Sequence, residues 1–497
     1  FDCNIFEKVF EFIRGLVFNN DEGKKYMFIV DSVDALCRMN DVDKPFAESE
    51  QVAGGALVTS VFLKKMVLPI TKMGHMMILT SQIRIEVASN PYAARGGPKV
   101  KQAGGNAIKH YANFILEFEV IIDYGLNSGV QFRSESIEKY LNGRVHGYQC
   151  EIETSSRKWA GGIYDEARRG WLYPLTRNAV GQRAFKNGTW NFYRIEAIGN
   201  SIKTFVNGVE TSNLVDDMTK EGFIAFQVHG ISNKEEEGKK VKWRNIRVLT
   251  GNLEKNLFLA SNKAPQISYL DNKLTEEEKR LGFRLLFDGK TNNGWRGVRL
   301  NKFPQKGWNI ENGVLTVEES DGKESRNGGD IVTLKSFRNF ELSVDFLLSP
   351  GANSGIKYFV KSNLNMSQGS AIGLEFQILD DAKHPDSNLG KNGNRTVGSL
   401  YDLIRAENKS TGARGKNFKG VEKWNNARIV VNGGEVEHWL NHIKVVEYNR
   451  FSQVFESLIE KSKYEKWENF GRWPEGLILL QDHGNKVSFK NIKIREF

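Results

Sequence analysis

The sequence predicts a multidomain fold, with an α/β segment over residues 1–118 followed by two all-β units. In the first segment, apolar runs alternate with helical periodicity, which is typical of a parallel α/β arrangement. From about residue 119 onwards, short stretches of alternating apolar and polar residues are separated by frequent turns. A set of short motifs occurs twice in this β-rich part, which indicates a duplicated domain.

Length and composition agree with several well-filled domains. The chain has 497 residues, of which 40% are hydrophobic and 11% aromatic, and roughly 150 residues per domain gives about two to four domains. The net charge of +10 is a modest excess for this length and does not by itself indicate nucleic-acid binding. The sequence has no apolar run of the ~18 residues that a membrane-spanning helix requires, so no membrane span is expected.

The α/β segment is predicted from four successive elements. Helical periodicity runs through residues 5–17, and an apolar strand covers residues 26–30. A long helical pattern then spans about residues 48–73, and a second apolar run covers residues 75–80. Each apolar run is followed by a polar pair, as at the carboxyl ends of parallel strands where ligands bind.

Three motifs of this segment resemble the core of RecA-type recombinases in order and spacing. They are I-V-D-S-V-D-A-L at 29–36, T-S-Q-I-R at 80–84 and G-G-N-A-I-K-H-Y-A at 104–112. The resemblance implies that Asp31 binds the nucleotide's Mg²⁺ and that Gln82 senses its terminal phosphate. It also implies a DNA-contacting loop, to which we assign Arg84, Lys99, Lys101, Gly104, Gly105 and Asn106.

The segment departs from that family in one decisive respect. The G-x-x-x-x-G-K-[ST] loop, whose backbone N–H groups hold the phosphates, is missing ahead of Asp31. We therefore expect no productive binding of ATP and Mg²⁺, and nucleic-acid binding at most weakly through residues 85–106. The segment is interpreted as a non-functional recombinase remnant joined through a chimeric junction; a purposeful fusion and an ATP-dependent DNA-strand-exchange protein are the alternatives.

Six short motifs recur in the same order in the β-rich part. The pairs are 127–130 with 353–356, 162–165 with 399–402, 190–195 with 424–429, 206–208 with 440–442, 221–229 with 475–483, and 243–247 with 489–493.

These anchors define a first copy over residues 119–250 and a second over 281–497, joined by a linker over 251–280. Thr275 followed by Glu278 is a capping-box pattern, which predicts a short helix at the end of the linker. The second copy has an opening section, residues 282–338, that the first lacks. An incomplete first copy should have open strand edges.

The two copies, the first without its opening section, resemble the 3-keto-disaccharide hydrolase family, whose members have a concanavalin-like jelly-roll (β-sandwich) fold. The resemblance is specific for the second copy. The motifs that carry the resemblance are L-L-F-D-G-K at 285–290, N-S-G-I-K-Y-F at 353–359, G-L-E-F-Q-I-L-D-D-x-x-H-P-D at 373–386, G-S-L-Y-D-L-I at 398–404, W-N-x-A-R-I-V-V at 424–431 and L-Q-D-H-G within 479–484. The resemblance implies a bacterial enzyme acting on 3-keto-glycosides. It also implies a periplasmic or cell-envelope location for this part, whereas the RecA-like part would be cytoplasmic.

Candidate catalytic residues cluster on and after one strand. Residues 373–379 alternate, so Glu375 and Gln377 share the face opposite the apolar side chains. This face either lines a sugar groove or is an ordinary solvated face. The predicted catalytic residues are Glu375, Asp380, Asp381, His384 and His483, with a polar turn as the alternative for the loop residues.

Further residues are assigned to substrate binding. Lys357 could stabilise an enolate by its charge, and the others could bond or stack on a sugar. The predicted substrate-binding residues are Asn353, Lys357, Gln377, Arg395, Tyr401 and Gln481. The first copy has Gln149 and Glu151 where the second has Glu375 and Gln377, which makes it the poorer candidate for catalysis.

The expected substrate is an oligosaccharide or glycoside, and the expected chemistry is C2 proton abstraction, elimination and hydration. A non-catalytic carbohydrate-binding jelly roll is the alternative, because one fold supports many functions. The sequence identifies no cofactor with certainty and leaves a divalent metal ion open.

Overall fold

The computed structural model describes residues 5–20, 23–30, 54–73, 75–79, 83–86, 99–102, 112–231, 234–320, 327–365, 369–410 and 415–497. The chain divides into two compact units, Phe1–Ile267 and Ser268–Phe497. Within the described residues, no helix has both the length and the apolar character required to cross a membrane.

The described residues among the first 102 form two helices, a parallel strand pair and an antiparallel strand pair. The elements are α1 (Phe6–Phe18), β1 (Met27–Val30), α2 (Gly54–Lys72), β2 (Met76–Leu79), β3 (Ile83–Glu86) and β4 (Lys99–Gln102). Strands β1 and β2 pair in parallel, as predicted, and apolar side chains of α1, α2 and β1 form one core cluster. Strands β3 and β4 are antiparallel.

The predicted nucleotide and DNA residues are only partly described. Asp31, Gln82, Gly104, Gly105 and Asn106 lie outside the described residues. For the other three, the backbone alone is described: Arg84 is in β3, and Lys99 and Lys101 are in β4. The RecA-like character of this segment therefore stays a prediction.

The first β-rich copy forms a sandwich of two antiparallel sheets. Its strands are β5 (Phe114–Ile122), β6 (Asn127–Glu135), β7 (His146–Glu153), β8 (Ile163–Glu166), β9 (Gly170–Tyr173), β10 (Asn191–Ile198), β11 (Ser201–Val206), β12 (Val209–Val215), β13 (Phe223–Phe226), β14 (Val241–Leu249) and β15 (Ile267–Ser268). The sheet orders are β14-β5-β10-β11-β12-β15 and β13-β6-β7-β8-β9. Residues of the predicted linker contribute to this sandwich, since Ala264 and Ile267 are buried.

The second copy forms a larger sandwich with the same strand order at its centre. Its strands are β16 (Arg284–Leu285), β17 (Trp295–Gly297), β18 (Trp308–Glu311), β19 (Val314–Val317), β20 (Ile331–Thr333), β21 (Phe340–Leu348), β22 (Asn353–Lys361), β23 (Ile372–Leu379), β24 (Asn425–Asn432), β25 (Glu435–Leu440), β26 (Ile443–Asn449), β27 (Leu477–Leu480) and β28 (Val487–Glu496). The sheet orders are β18-β19-β28-β21-β24-β25-β26 and β17-β20-β27-β22-β23. The jelly-roll sandwich predicted for both copies is therefore confirmed.

Two helices complete the second unit, α3 (Glu276–Arg280) and α4 (Gln453–Glu460). The short helix expected after Thr275 is confirmed: its hydroxyl accepts from the N–H of Glu278, whose carboxylate accepts from the N–H of Thr275.

Two strands of the first copy lie at sheet edges because the opening section is missing. In the second copy β28 pairs with β19 and β27 pairs with β20. Their counterparts β14 and β13 are the last strands of their sheets. No residue of β14 is fully buried, whereas most of β28 is. The open edges expected from the sequence are therefore present.

We predict that backbone amides of β14 exchange with solvent at least about tenfold faster than those of β28. The reason is that β14 has a neighbouring strand on one side only, so its outward-facing amides have no partner strand. Hydrogen–deuterium exchange with mass spectrometry on peptides covering 241–249 and 487–496 measures this. The central strands β5 and β21 provide the matched slow controls. Equal protection of the peptides 241–249 and 487–496 would contradict the prediction.

A buried imidazole links the two sheets of the second unit. His438 Nε2 accepts a hydrogen bond from the Tyr358 hydroxyl at 2.8 Å, and Nδ1 donates to the Gly398 carbonyl at 3.1 Å. Tyr358 also bonds the Tyr448 hydroxyl at 2.8 Å. Burial lowers the pKa of His438 to about 4, because this environment favours the neutral ring.

We predict that this group destabilises the second unit in mild acid. An unfolded histidine binds a proton below a pKa of ~6.5, whereas folded His438 resists it until about pH 4. Stability from His438 is thus complete above about pH 6.5 and falls by about 3 kcal/mol as the pH drops to about 4. Urea unfolding of wild type and His438→Gln at pH 7 and pH 4.5 tests this. An undiminished acid loss in the variant would contradict it.

Candidate active site

One face of β23 forms the floor of the site. The side chains of Leu374, Phe376 and Ile378 are fully buried in the sandwich core, as the alternation predicts. Glu375 and Gln377 project from the opposite face, yet they are only 6% and 1% exposed. This face is therefore covered by other parts of the chain and is not an ordinary solvated face.

A cavity of about 260 Å³ lies over this floor. Residues predicted from the sequence that line it are Asn353, Lys357, Glu375, Gln377, Tyr401, Gln481 and His483. They lie on β22 and β23, in the loop after β23 and directly after β27. Strands β27, β22 and β23 are neighbours in one sheet. The sheet therefore brings together residues that lie more than a hundred positions apart.

An ion pair between adjacent strands occupies the cavity floor. Lys357 lies directly opposite Glu375 in the β22–β23 register, with Nζ 3.5 Å from the Glu375 Oε2. Lys357 also donates to the Ser370 hydroxyl at 2.6 Å and to the Ala371 carbonyl at 3.3 Å. The Ser370 hydroxyl in turn donates to the buried carboxylate of Asp330. The hydrogen bonds to Ser370 and Ala371 thus fix the position of the Lys357 ammonium group.

Two polar atoms at the cavity have no hydrogen-bond partner among the described residues although they are buried. They are Nδ1 of His483 and Nε2 of Gln377. Buried polar atoms are normally satisfied, so each such exception calls for an explanation. Because both residues line the cavity, a bound polar ligand is a natural partner for them.

The two aspartates after β23 are engaged in turns. The Asp380 carboxylate accepts backbone N–H bonds from Gly351 at 2.7 Å and Ala382 at 3.1 Å. Asp381 accepts from the Val397 N–H at 2.7 Å and pairs with Lys416 at 2.6 Å. Neither residue lines the cavity. The polar-turn alternative fits both aspartates, because their oxygens fix the course of the loop.

His384 packs next to the cavity. Its ring centre lies 6.1 Å from that of His483, and its Nδ1 accepts the backbone N–H of Asp386 at 3.2 Å. Burial, followed by the neighbouring His483, lowers the pKa of His384, while Asp386 and Asp380 oppose the change. His384 is therefore neutral, packs against the His483 ring and uses its Nδ1 to hold the turn at Asp386.

Arg395 holds the wall of the cavity from outside. It donates to Asp386 and Asp402, both at 2.8 Å, and its guanidinium lies 5.4 Å from the centre of the Tyr401 ring. The Tyr401 hydroxyl donates to Asp386 at 2.9 Å. Burial, followed by the charges of Glu375 and Asp386, raises the pKa of Tyr401. Tyr401 therefore stays protonated in the cavity wall. Arg395 lies behind this wall and does not line the cavity.

The sequence reasoning missed the segment that covers the cavity. Residues 450–476 connect β26 to β27 and include α4, and they supply Lys463, Tyr464, Lys466 and Trp467 to the lining. In the first copy, residues 216–222 make the corresponding connection. A signal was available, because the spacing between the fourth and fifth repeated motifs differs greatly between the copies.

In the first copy, the side chain of Arg157 covers the corresponding face. Arg157 pairs with Glu151 at 3.0 Å and Glu153 at 2.7 Å, and its guanidinium lies under 5 Å from the ring centres of Trp159 and Trp171. Burial raises the pKa of Glu151 to about 7, and Arg157 opposes the shift. Arg157 therefore neutralises both carboxylates of that face.

Metal binding is not supported by a ligand cluster. Within the described ranges, no group of three or more His, Cys, Asp or Glu side chains is arranged to hold a metal ion. The divalent metal left open by the sequence therefore stays a prediction.

Gly355 provides the space that Glu375 occupies. A methyl group at Gly355 would overlap the Glu375 carboxylate, and one at Gly129 would overlap Gln149 in the first copy. We predict that Gly355→Ala lowers the free energy of unfolding by about 1–3 kcal/mol through overpacking. In a Glu375→Ala background, Gly355→Ala should cost at least about 1 kcal/mol less, because the overlapping group is absent.

Urea unfolding of the single and double variants measures this coupling. The pair Gly129→Ala and Gln149→Ala is the matched control in the first copy and should couple in the same sense. Strictly additive effects of Gly355→Ala and Glu375→Ala would refute the steric explanation.

Three of the similar chains found in comparisons with known proteins each cover less than half of this one. A 3-keto-disaccharide hydrolase of Bacteroides thetaiotaomicron is 35% identical over 238 residues, which cover 43% of this chain and 78% of that protein. Crystal structures of two candidate glycosyl hydrolases from Parabacteroides distasonis are also similar. One is 31% identical, with a TM-score of 0.39 and coverage of 46% of this chain and 99% of that chain. The other is 26% identical, with a TM-score of 0.33 and coverage of 43% and 99%.

The family model described as a 3-keto-alpha-glucoside-1,2-lyase-like domain matches residues 95–249 and 282–495. The match covers both β-rich copies and more than half of the sequence. The chain therefore belongs to the family of 3-keto-alpha-glucoside-1,2-lyase-like domains.

Proposed function

We propose that the second unit is an enzyme that cleaves 3-keto-glycosides, including 3-keto-disaccharides, by elimination followed by hydration. Family membership and the name of the Bacteroides relative support the class of substrate. The observation that carries the proposal is the cavity that combines the Glu375–Lys357 pair with the unpartnered Nδ1 of His483.

The chemistry of a 3-keto-glycoside determines what the site must provide. The ketone at C3 acidifies the hydrogen on C2, so a general base can remove it and form an enolate. The bond from C1 to the leaving oxygen then breaks. The site needs a base, a positive charge near the enolate oxygen and a proton for the leaving group.

His483 is the best base in the cavity. Its Nδ1 has no partner among the described residues, whereas Nδ1 of His384 is occupied by a backbone N–H. Asp380 is held by two backbone N–H groups outside the cavity. We therefore assign to His483 the proton abstraction for which the sequence also offered His384, Asp380 and Asp381.

Lys357 is positioned to stabilise the enolate. Its ammonium is held by Ser370 and Ala371 on one side and lies beside Glu375 in the cavity. A fixed positive charge in a partly desolvated site stabilises developing negative charge without reorganisation. Glu375 lies beside the ammonium and can accept hydrogen bonds from sugar hydroxyls.

The protons balance if His483 acts twice. The imidazole takes the proton from C2 and gives it to the oxygen leaving C1, so the first half yields the free alcohol and an unsaturated ketone. In the second half, it takes a proton from the water that adds to C1 and returns one to C2. The amides of Gln377 and Gln481 and the side chain of Asn353 are assigned to the sugar hydroxyls.

We predict that His483→Ala lowers kcat on a 3-keto-glucoside by about 10²- to 10⁴-fold, the range typical of a lost general base. Exchange of the C2 hydrogen with deuterated water should fall in parallel, because both need the same proton transfer. The matched control is His229→Ala, the corresponding and exposed position of the first copy, which should leave both rates unchanged.

Product analysis and NMR of the C2 position on the full chain provide both readouts. Undiminished C2 exchange in His483→Ala would exclude His483 as the base. A wild-type chain that binds 3-keto-glucosides without turnover would instead support the carbohydrate-binding alternative.

A further inference from the structure

The covering segment brings an excess of positive charge to the cavity. Three ammonium groups, those of Lys357, Lys463 and Lys466, line it together with a single carboxylate, that of Glu375. Lys357 faces this carboxylate across the strand pair. The other two lysines form no ion pair with any described residue.

Aromatic rings accompany both additional lysines. Lys463 Nζ lies 4.4 Å from the centre of the Tyr401 ring and 5.3 Å from that of Tyr464, and Lys466 Nζ lies 5.3 Å from that of Trp467. Sugar rings pack readily on such faces, because an aromatic ring offers a flat apolar surface with polar edges nearby. A saccharide seated there would lie beside two ammonium groups.

Lys463 is an exposed residue of the covering segment. Partial removal from water nonetheless lowers the pKa of Lys463, and the carboxylates of Glu375 and Asp402 oppose this shift. The guanidinium of neighbouring Arg395 is already bonded to Asp386 and Asp402. An anion arriving with the substrate would favour the charged form of Lys463.

The proposed reaction on a neutral sugar does not need these two lysines. The enolate oxygen is served by Lys357, and the leaving oxygen receives its proton from His483. The first copy has only residues 216–222 at this place, which include Lys220, and so has no counterpart of the segment that carries Lys463 and Lys466. Their function is therefore tied to the covering segment and not to the shared sandwich.

We propose that the substrate carries an anionic substituent, a uronic-acid carboxylate or a sulfate ester, which Lys463 and Lys466 bind. This proposal rests on the saccharide substrate of the proposed function and adds its charge. The two lysines would select among 3-keto-glycosides by attracting the anion and holding it next to the aromatic rings.

Binding to the full chain tests the proposal without requiring turnover. The probes are p-nitrophenyl β-glucoside, p-nitrophenyl β-glucuronide and p-nitrophenyl β-glucoside 6-sulfate, titrated calorimetrically at low salt. We expect one or both anionic probes to bind at least about tenfold more tightly than the glucoside, which corresponds to about 1.4 kcal/mol. The preference should shrink as salt is added, because screening weakens the attraction.

Substitution of the lysines identifies the groups responsible. The double variant Lys463→Gln, Lys466→Gln should abolish the preference for the anionic probes. Lys461→Gln, which removes an exposed ammonium of the same segment outside the cavity, should retain it. The relative affinities of the glucuronide and the sulfate distinguish the two anions.

Absence of any preference for an anionic probe would overturn the proposal, and so would a preference that survives the double lysine substitution. Turnover of a 3-keto-glucoside is a separate measurement. A lysine-dependent preference for anionic probes without turnover would support the anion site and refute the proposed reaction. Turnover without such a preference would support the reaction and refute the anion site.

Discussion

The register between β22 and β23 is the constraint on which the site depends. It sets Lys357 opposite Glu375 and Gly355 opposite Gln377. A shift by one residue would turn Glu375 and Gln377 into the core and bring Leu374, Phe376 and Ile378 to the cavity. The burial of these three apolar side chains therefore fixes the position of the polar ones.

The two copies share this register but differ in what covers it. In the first copy, Gly129 lies opposite Glu151, which is the same geometry. There Arg157 satisfies the acidic face from within the domain. In the second copy, residues 450–476 cover the face with lysines and aromatic rings and leave a cavity of about 260 Å³. The same sheet therefore supports two different surfaces.

Much of the site could be predicted because it lies on regular strands. Alternation placed Glu375 and Gln377 on one face, and the repeated Gln-x-His motif drew attention to Gln481 and His483. Asp380 and Asp381 were harder, because an aspartate after a strand can serve catalysis or a turn. Only their partners, the N–H groups of Gly351 and Val397 among them, show that both carboxylates are engaged locally.

Local periodicity and repeated motifs are enough to predict the duplicated β architecture, the shortened first copy and the polar face of residues 373–379. The tertiary structure decided which polar residues share a cavity and which hold turns. It also brought Lys463 and Lys466 into the same cavity as Glu375. These positions lie about ninety residues apart in the sequence, and their proximity depends on how a long irregular connection folds back over the sheet, which no local pattern encodes.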